Sequence, residues 1–482
     1  MPGRNMDAEQ NTGLSIREEL VATKFAQGMT YREIGETLFI SPATVRTHLS
    51  AIYQKLGVHN KLALANLLAV GRMEDTAKSI PNGLTHKNSG PPIVAVLPFD
   101  NLGSDERLAH LAECLSADII ADLARYPDLA VIARLTMLTF KGRCEDLRSI
   151  GRELNADYLL EGSLQATSRQ VRISVQLVDA CTGADLWSAR YERPAADMFA
   201  IQDSVTENII NALAGCCGKL AHIQRNIVRR KPPGSLGGYD YHLLGVEQLN
   251  MYSRTSNAEA IRLLSRAIEL DPAFARAWLE LGFAYAVQGS NGYADDTAMS
   301  LANFSCCANK SFALDPGDGL ARQAAGDLRA CDGDFDGAIE ENTLALAAAP
   351  NDGDTLALVA GSRALAAGDP EAGYLLINRA LCINALAPSW YFSMLGRVTF
   401  VLGRYRECIA AFRRAPDMPS TLMFRAMAHA LLGEDEDAAK LTRRLASECP
   451  KYTAEHFIAG YPVTNPPAMA SIRHGAKRAR LV

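Results

Sequence analysis

The sequence predicts a multidomain chain: a small all-α unit with a helix-turn-helix layout, an α/β sandwich of order βαβαβββα, and an all-α solenoid of helical repeats. Three observations carry that prediction. Two successive capping boxes, Ser15 with Glu18 and Thr30 with Glu33, open short amphipathic helices near the N-terminus. Val171, Ile173, Val175 and Leu177 alternate with Arg172, Ser174 and Gln176, the signature of a half-buried strand. Gly333, Gly368 and Gly403 recur at steps of 35 residues, with Gly433 following after 30, which marks a repeat.

Composition bounds the rest. A chain of 482 residues with 48% apolar content holds roughly three domains with real cores. A net charge of -5 argues against a protein that coats nucleic acid over its whole surface, so any such contact belongs to one module. Eleven cysteines without a CxxC pair suit a reducing compartment rather than a disulfide framework or a zinc ribbon. The adjacent pairs Cys216-Cys217 and Cys306-Cys307 are read as buried, inert thiols. Residues 1–13 are polar, and the apolar run LALANLLAV is broken by Asn66, far short of the ~20 residues a spanning helix needs. A soluble, cytoplasmic protein is expected.

The first module covers residues 1–74. Gly28 stops the helix opened at Ser15, a second helix runs from about Tyr31 to Leu38, and Asn60 caps a fourth through about Val70. Between them lies SPATVRTHLSAIYQKLG, residues 41–57, with Ser41 as N-cap, Pro42 at the first helical position and Gly57 as the stop. Val45, Leu49, Ile52 and Leu56 recur at steps of four, three and four and form one stripe to be buried. Thr44, Arg46, Thr47, His48, Ser50 and Gln54 fall on the other face. No acid occurs between Thr37 and Met73, while Arg46, Lys55, Lys61 and Arg72 do. A short turn between helices two and three is the layout in which the second helix enters the major groove.

These residues resemble the LuxR-type, or GerE-like, DNA-binding domain over residues 14–70, through Leu14, Glu18, Gly28, Glu33, Ile34, Ile40, Ser41, Val45, His48 and Leu56-Gly57-Val58 among others. The resemblance implies double-stranded DNA as partner, base contacts from Arg46, Thr47 and Ser50, phosphate contacts from Thr44 and Lys55, and pairing of two copies through helix four. The planar fork of Arg46 suits O6 and N7 of guanine. Ser50 departs from the family, which often places a basic side chain there, and Gly35 replaces a usual alanine.

Residues 75–92, rich in Pro, Gly, Asn and Ser, read as a linker. In the module at 93–215, IVAVLPF is a buried strand, and Leu108, Leu111, Leu115, Ile119 and Leu123 mark a helix ended by Pro127. LAVIAR is a second strand, a helix spans about Asp146 to Asn155, three strands follow at close spacing, and a helix runs from about Asp197 to Leu213. VAVLPFDNLGSDE, IGRELNADYLLEGSL and VRISVQLVDACTGADLWSARYER resemble the amino-terminal domain of the TolB-like family, which implies the sandwich but no activity. There is no GxxxxGK[ST] phosphate loop. Asp100, Asp105 and Glu106 could form a metal or acid/base site, although exposed loop carboxylates are the commoner outcome. Trp187 and Tyr191 are expected in the sheet's core. No catalytic, cofactor-binding or metal-binding residue is assigned, and no enzyme activity is expected.

Residues 216–238 read as a second linker, 239–460 as the repeats and 461–482 as a basic, disordered tail. AEAIRLLSRAIELDPAFARAWLELGFAYAVQG resembles a tetratricopeptide repeat, with Ala260, Leu264, Ala267, Pro272, Trp278, Gly282 and Tyr285 on the pattern. About six repeats are expected, and the resemblance implies a concave surface for a protein or peptide. The whole reads as a transcriptional regulator whose repeats receive a protein signal. The other reading is an interaction scaffold in a cyclic-nucleotide-linked signalling system with a weak DNA-binding domain.

Overall fold

The computed structural model describes Val21, Val45, Leu49, Ile52 and Lys55 of the first module, and residues 90–481 except 104, 143–145, 167–169, 196–197, 216–217, 295, 385–386 and 463. The chain divides into two compact units, Met1–Gly83 and Leu84–Val482. In the first, Val21, Val45, Leu49 and Ile52 are helical and buried, while Lys55 is helical and exposed.

The second unit begins with a sheet. β1 (Ile93–Val96) lies between β3 (Ala130–Val131) and β4 (Tyr158–Ala166) and is parallel to both; β5 (Gln170–Asp179) and β6 (Asp185–Pro194) extend it antiparallel, and the short β2 (Asp100–Asn101) pairs with β4. Helix α1 (Glu106–Leu123) covers the strands beside α4 (Met198–Leu213), with α2 (Arg134–Leu138) and α3 (Leu147–Leu154) inserted before β4. The order is the expected βαβαβββα with one added strand and one added short helix. In β5, Val171, Ile173, Val175 and Leu177 are buried while Arg172 is exposed, so the period of two became one wet and one dry face. Trp187 and Tyr191 are only half-buried, against the rim of that core. The hairpin after β5 turns at Gly183, whose φ of 75° is the left-handed region, while Asp179 accepts from the Cys181 and Thr182 amides at 3.1 and 2.7 Å.

The segment read as a second linker instead carries helix α5 (Lys219–Val228). Leu220, Ile223 and Ile227, at steps of three and four, bury into the sheet's core, and Gln224 donates to the Tyr158 hydroxyl at 2.8 Å. That spacing outweighs the polar residues around it.

Beyond it, six antiparallel helix pairs follow: α6 (Gly238–Leu249) with α7 (Arg254–Leu270), α8 (Ala275–Ser290) with α9 (Thr297–Leu314), α10 (Gly319–Cys331) with α11 (Phe335–Ala348), α12 (Gly353–Leu365) with α13 (Pro370–Ile383), α14 (Ser389–Val401) with α15 (Tyr405–Phe412), and α16 (Pro419–Leu431) with α17 (Asp435–Glu448). Gly333, Gly368, Gly403 and Gly433 sit in the turns within the last four pairs at φ of 83°, 79°, 73° and 78°. A left-handed residue lets the chain reverse directly after a helix, so the period of 35 is the period of that turn. Asp296, Asp318, Asp334, Asp352 and Asp369 accept backbone N–H bonds as N-caps of α9 to α13.

Sheet and repeats form one body. Tyr126 donates to Asp352 at 3.2 Å, Asn351 to Asp122 at 3.1 Å, Asn211 to the Asn351 carbonyl at 3.2 Å, and Arg125 to the Ala348 carbonyl at 3.1 Å. All four converge on the turn between α11 and α12. After α17, helix α18 (Ala454–Gly460) packs on α8 and α9, and α19 (Pro466–Arg478) packs on α16. The tail expected to be disordered is therefore ordered: Pro466 occupies the first turn, Asn465 caps it, and Ala468, Ile472 and Ala476 bury one stripe.

Candidate nucleic-acid interface and a cavity in the repeats

Of the six residues expected to meet DNA, Thr44, Arg46, Thr47, His48 and Ser50 lie outside the described residues, and Lys55 is an exposed helical residue. Val45, Leu49 and Ile52, which set the phase of the expected recognition helix, are helical and fully or almost fully buried. Burial at positions 45, 49 and 52 with exposure at 55 is the spacing of a dry stripe beside a wet flank.

The acids near the first strand do other work. Asp105 is the N-cap of α1, accepting from the Arg107 amide at 3.0 Å and pairing with its guanidinium at 3.0 Å. The Arg107 side chain holds that carboxyl below its usual range. Among the described residues, His429, Glu434 and Asp437 group within reach of one ion, but His429 Nδ1 and Glu434 Oε2 are 2.6 Å apart and already clamp the Gly433 turn. Cys307 is buried, with burial pushing its thiol up to about 12, and Cys306 is exposed.

The repeats enclose the feature that sequence reasoning missed. First helices of five successive pairs lend Val246, Glu280, Gln323, Leu358 and Arg397 to a cavity of about 140 Å³. The array does not stay open there. Tyr452 donates to the Ser290 carbonyl at 2.5 Å, Ser420 donates to Asn291 Oδ1 at 2.8 Å, and Gly460 lies against Gly289, so the last repeat meets the second across the groove.

Most of the wall is apolar, but Glu280, Asp354 and two polar pairs stand in it. On α10, Gln323 Nε2 donates to Asp327 Oδ2 at 2.7 Å, leaving Gln323 Oε1 without a partner. On α14, Ser393 Oγ and Arg397 Nε also have none. Arg397 is 4% exposed, and its guanidinium lies 4.5 Å from the Tyr461 ring centre and 5.2 Å from that of Phe457. Burial raises Asp327 to about 7, opposed by hydrogen bonds from Ser362 and Gln323, and raises Glu280 to about 7, opposed by Arg276. Such a wall binds a small polar group held in an apolar frame.

Residues 12–68 match the luxR family of bacterial regulatory proteins, residues 90–208 the second domain of HilA/YgeH-like transcriptional regulators, and residues 251–289 a TPR repeat. The chain is 44% identical over 62 residues to the spore germination protein GerE of Bacillus subtilis, covering 13% of this chain and 84% of that one. It is 38% identical over 192 residues to the putative adenylate cyclase 3 of Rhizobium meliloti, covering 39% of this chain and 32% of that protein. The chain spans about a third of the length of the curated relatives it matches first. The crystal structure of TolB from Acinetobacter baumannii is similar at 17% identity and a TM-score of 0.18, over 25% of this chain and 28% of that one, an overlap too small to argue from. For the middle module, the HilA/YgeH-like match is the firmer description. No helix among the described residues is long and apolar enough to cross a membrane.

Proposed function

This chain belongs to the luxR family of bacterial regulatory proteins, and we propose that it is a sequence-specific transcriptional regulator acting in the cytoplasm. The observation that carries the reading is the family match over residues 12–68, together with the 62-residue alignment that covers 84% of the GerE protein. The buried stripe of Val45, Leu49 and Ile52 supports it. In this reading Arg46, Thr47 and Ser50 address base edges, Thr44 and Lys55 hold phosphates, and His48 adds to the same face. Two copies bind two half-sites, because one such module reads few base pairs.

The repeats receive a protein or peptide signal. Exposed apolar side chains support this: Leu270, Met299, Leu314, Leu344 and Leu375 lie on the second helices of four successive pairs. Apart from Phe304 of α9 these helices add nothing to the cavity wall, so the partner docks on the outer face. Binding there changes how two DNA-binding modules are presented. A scaffold linked to cyclic-nucleotide signalling is the second reading, favoured by the relative named as an adenylate cyclase. Arg46→Ala separates the two: a regulator loses occupancy at its genomic sites, whereas a scaffold keeps its cellular phenotype.

A further inference from the structure

We infer that the cavity inside the repeat array is a binding site for a small carboxylate that carries a hydroxyl or ammonium group at its far end. The inference stands on the array alone and is independent of how the first module is read.

Four observations lead there. The first is confinement. A tetratricopeptide-like array left open offers a groove long enough for a peptide, but here Tyr452 on Ser290 and Ser420 on Asn291 bridge the second and last repeats. What remains is about 140 Å³, close to the ~150 Å³ that accommodates a benzene ring. An occupant of that size is a metabolite, not a peptide.

The second observation is a cation without its anion. Arg397 is buried on α14, and among the described residues no carboxylate lies within ion-pairing distance of it. Its contacts are two aromatic rings, the Tyr461 hydroxyl and the Met394 sulfur at 3.9 Å, none of them an anion. A buried guanidinium costs heavily unless an anion answers it, and its planar fork matches a carboxylate. Ser393, one turn earlier on the same helix, adds a second unpartnered donor on the cavity wall.

The third observation is polarity at the opposite end. Gln323 and Asp327 stand one turn apart on α10, two repeats away from α14, and Gln323 leaves its oxygen without a partner. Because Gln323 already gives a hydrogen to Asp327, its free Oε1 accepts, so it calls for a donor on the ligand. The two pairs differ in kind: α14 gives hydrogens and α10 takes them. A ligand that satisfies both has a carboxylate at one end and a hydroxyl or ammonium at the other.

The fourth is the apolar middle. α12 lies between α10 and α14 and contributes Leu358, while Phe283 and Trp390 flank it. The body of the ligand is therefore compact and hydrophobic. A hydroxylated aromatic acid or a short amino acid with its two groups at opposite ends fits this pattern. An anion alone does not use the α10 pair, and a neutral hydrocarbon leaves both pairs unpaired.

The test uses the full chain, titrated by calorimetry with 4-hydroxybenzoate, 3-hydroxybenzoate and 4-aminobutanoate, and with benzoate and 4-hydroxybenzamide as controls. One site per chain is expected for at least one of the bifunctional acids. Benzoate should bind that site more weakly, and the uncharged amide at least about tenfold more weakly, as loss of a charge-assisted hydrogen bond requires. Arg397→Met should lose at least about tenfold for the acid but not for the amide. Ser393→Ala removes only one hydroxyl, so its expected loss of about threefold or more is readable even where Arg397→Met fails to fold. The inference is overturned if none of the three acids binds, if the amide matches its acid, or if both variants bind the acid as the parent does.

Discussion

The Tyr452 hydroxyl donates to the Ser290 carbonyl at 2.5 Å, joining residues 162 positions apart and closing the repeat array on itself. Removing that hydroxyl in Tyr452→Phe leaves a buried carbonyl short of a partner with the ring still in place. The expected cost is about 1 kcal/mol, read as a lower urea midpoint with an unchanged slope. A midpoint equal to the parent's means that this hydrogen bond contributes nothing to stability.

The turn glycines differ in what they tolerate. A Cβ at Gly333 would meet nothing within 4 Å, so Gly333→Ala is expected to cost only its left-handed backbone, about 1 kcal/mol. In Gly396→Ala the new methyl would overlap the Phe412 ring, and a loss of roughly 1–3 kcal/mol or more is expected from overpacking. Equal melting temperatures for the two variants would contradict this packing.

Burial raises Asp327 from 3.8 to about 7 in the folded chain. Between about pH 4 and pH 7 the folded state keeps a proton that the unfolded state releases, so stability falls as pH rises through that window. The contribution is at most about 4 kcal/mol. Asp327→Asn cannot ionise and should flatten this fall, becoming more stable relative to the parent at pH 8 than at pH 5. Glu280 acts in the same direction and leaves a residual slope in the variant. Urea midpoints measured across pH check this, and parallel pH profiles for parent and variant would refute it.

Helix α19 buries Ile472 and Ala476, and Arg473 pairs with Glu455 at 2.8 Å. Deleting residues 466–482 should therefore lower the melting temperature by several degrees and expose the α16 face, which would bind a hydrophobic dye. A truncated chain that melts with the full one would restore the disordered-tail expectation.

Periodic signals made much of this fold legible. The alternation from Val171 to Leu177 is a strand with one dry face, and Gly333, Gly368, Gly403 and Gly433 are turns because only a left-handed residue reverses a helix so tightly. The stripe of Val45, Leu49 and Ile52 is buried, although the polar residues between them lie outside the described set. Helix α5 escaped because a short stripe of Leu220, Ile223 and Ile227 lies among linker-like residues. The tail's basic residues hid the small-residue stripe of α19 in the same way. The cavity was illegible for a different reason: it depends on Tyr452 reaching Ser290 and on Gln323 and Arg397 facing one space, and no local pattern encodes contacts between distant repeats. Read along the chain, Arg397 is a lone charge in an apolar helix. Only the closed array makes it a buried cation in search of an anion.

The central claim is that Arg46 reads DNA. Genome-wide mapping of bound DNA gives the preferred site, and the decisive measurement is the affinity of the full chain and of Arg46→Ala for that site at one salt concentration. A loss of ~1–3 kcal/mol at the preferred site, with little change on unrelated DNA, is the expected result. Equal affinity of the two proteins for the preferred site, or no preferred site in the map, would contradict it.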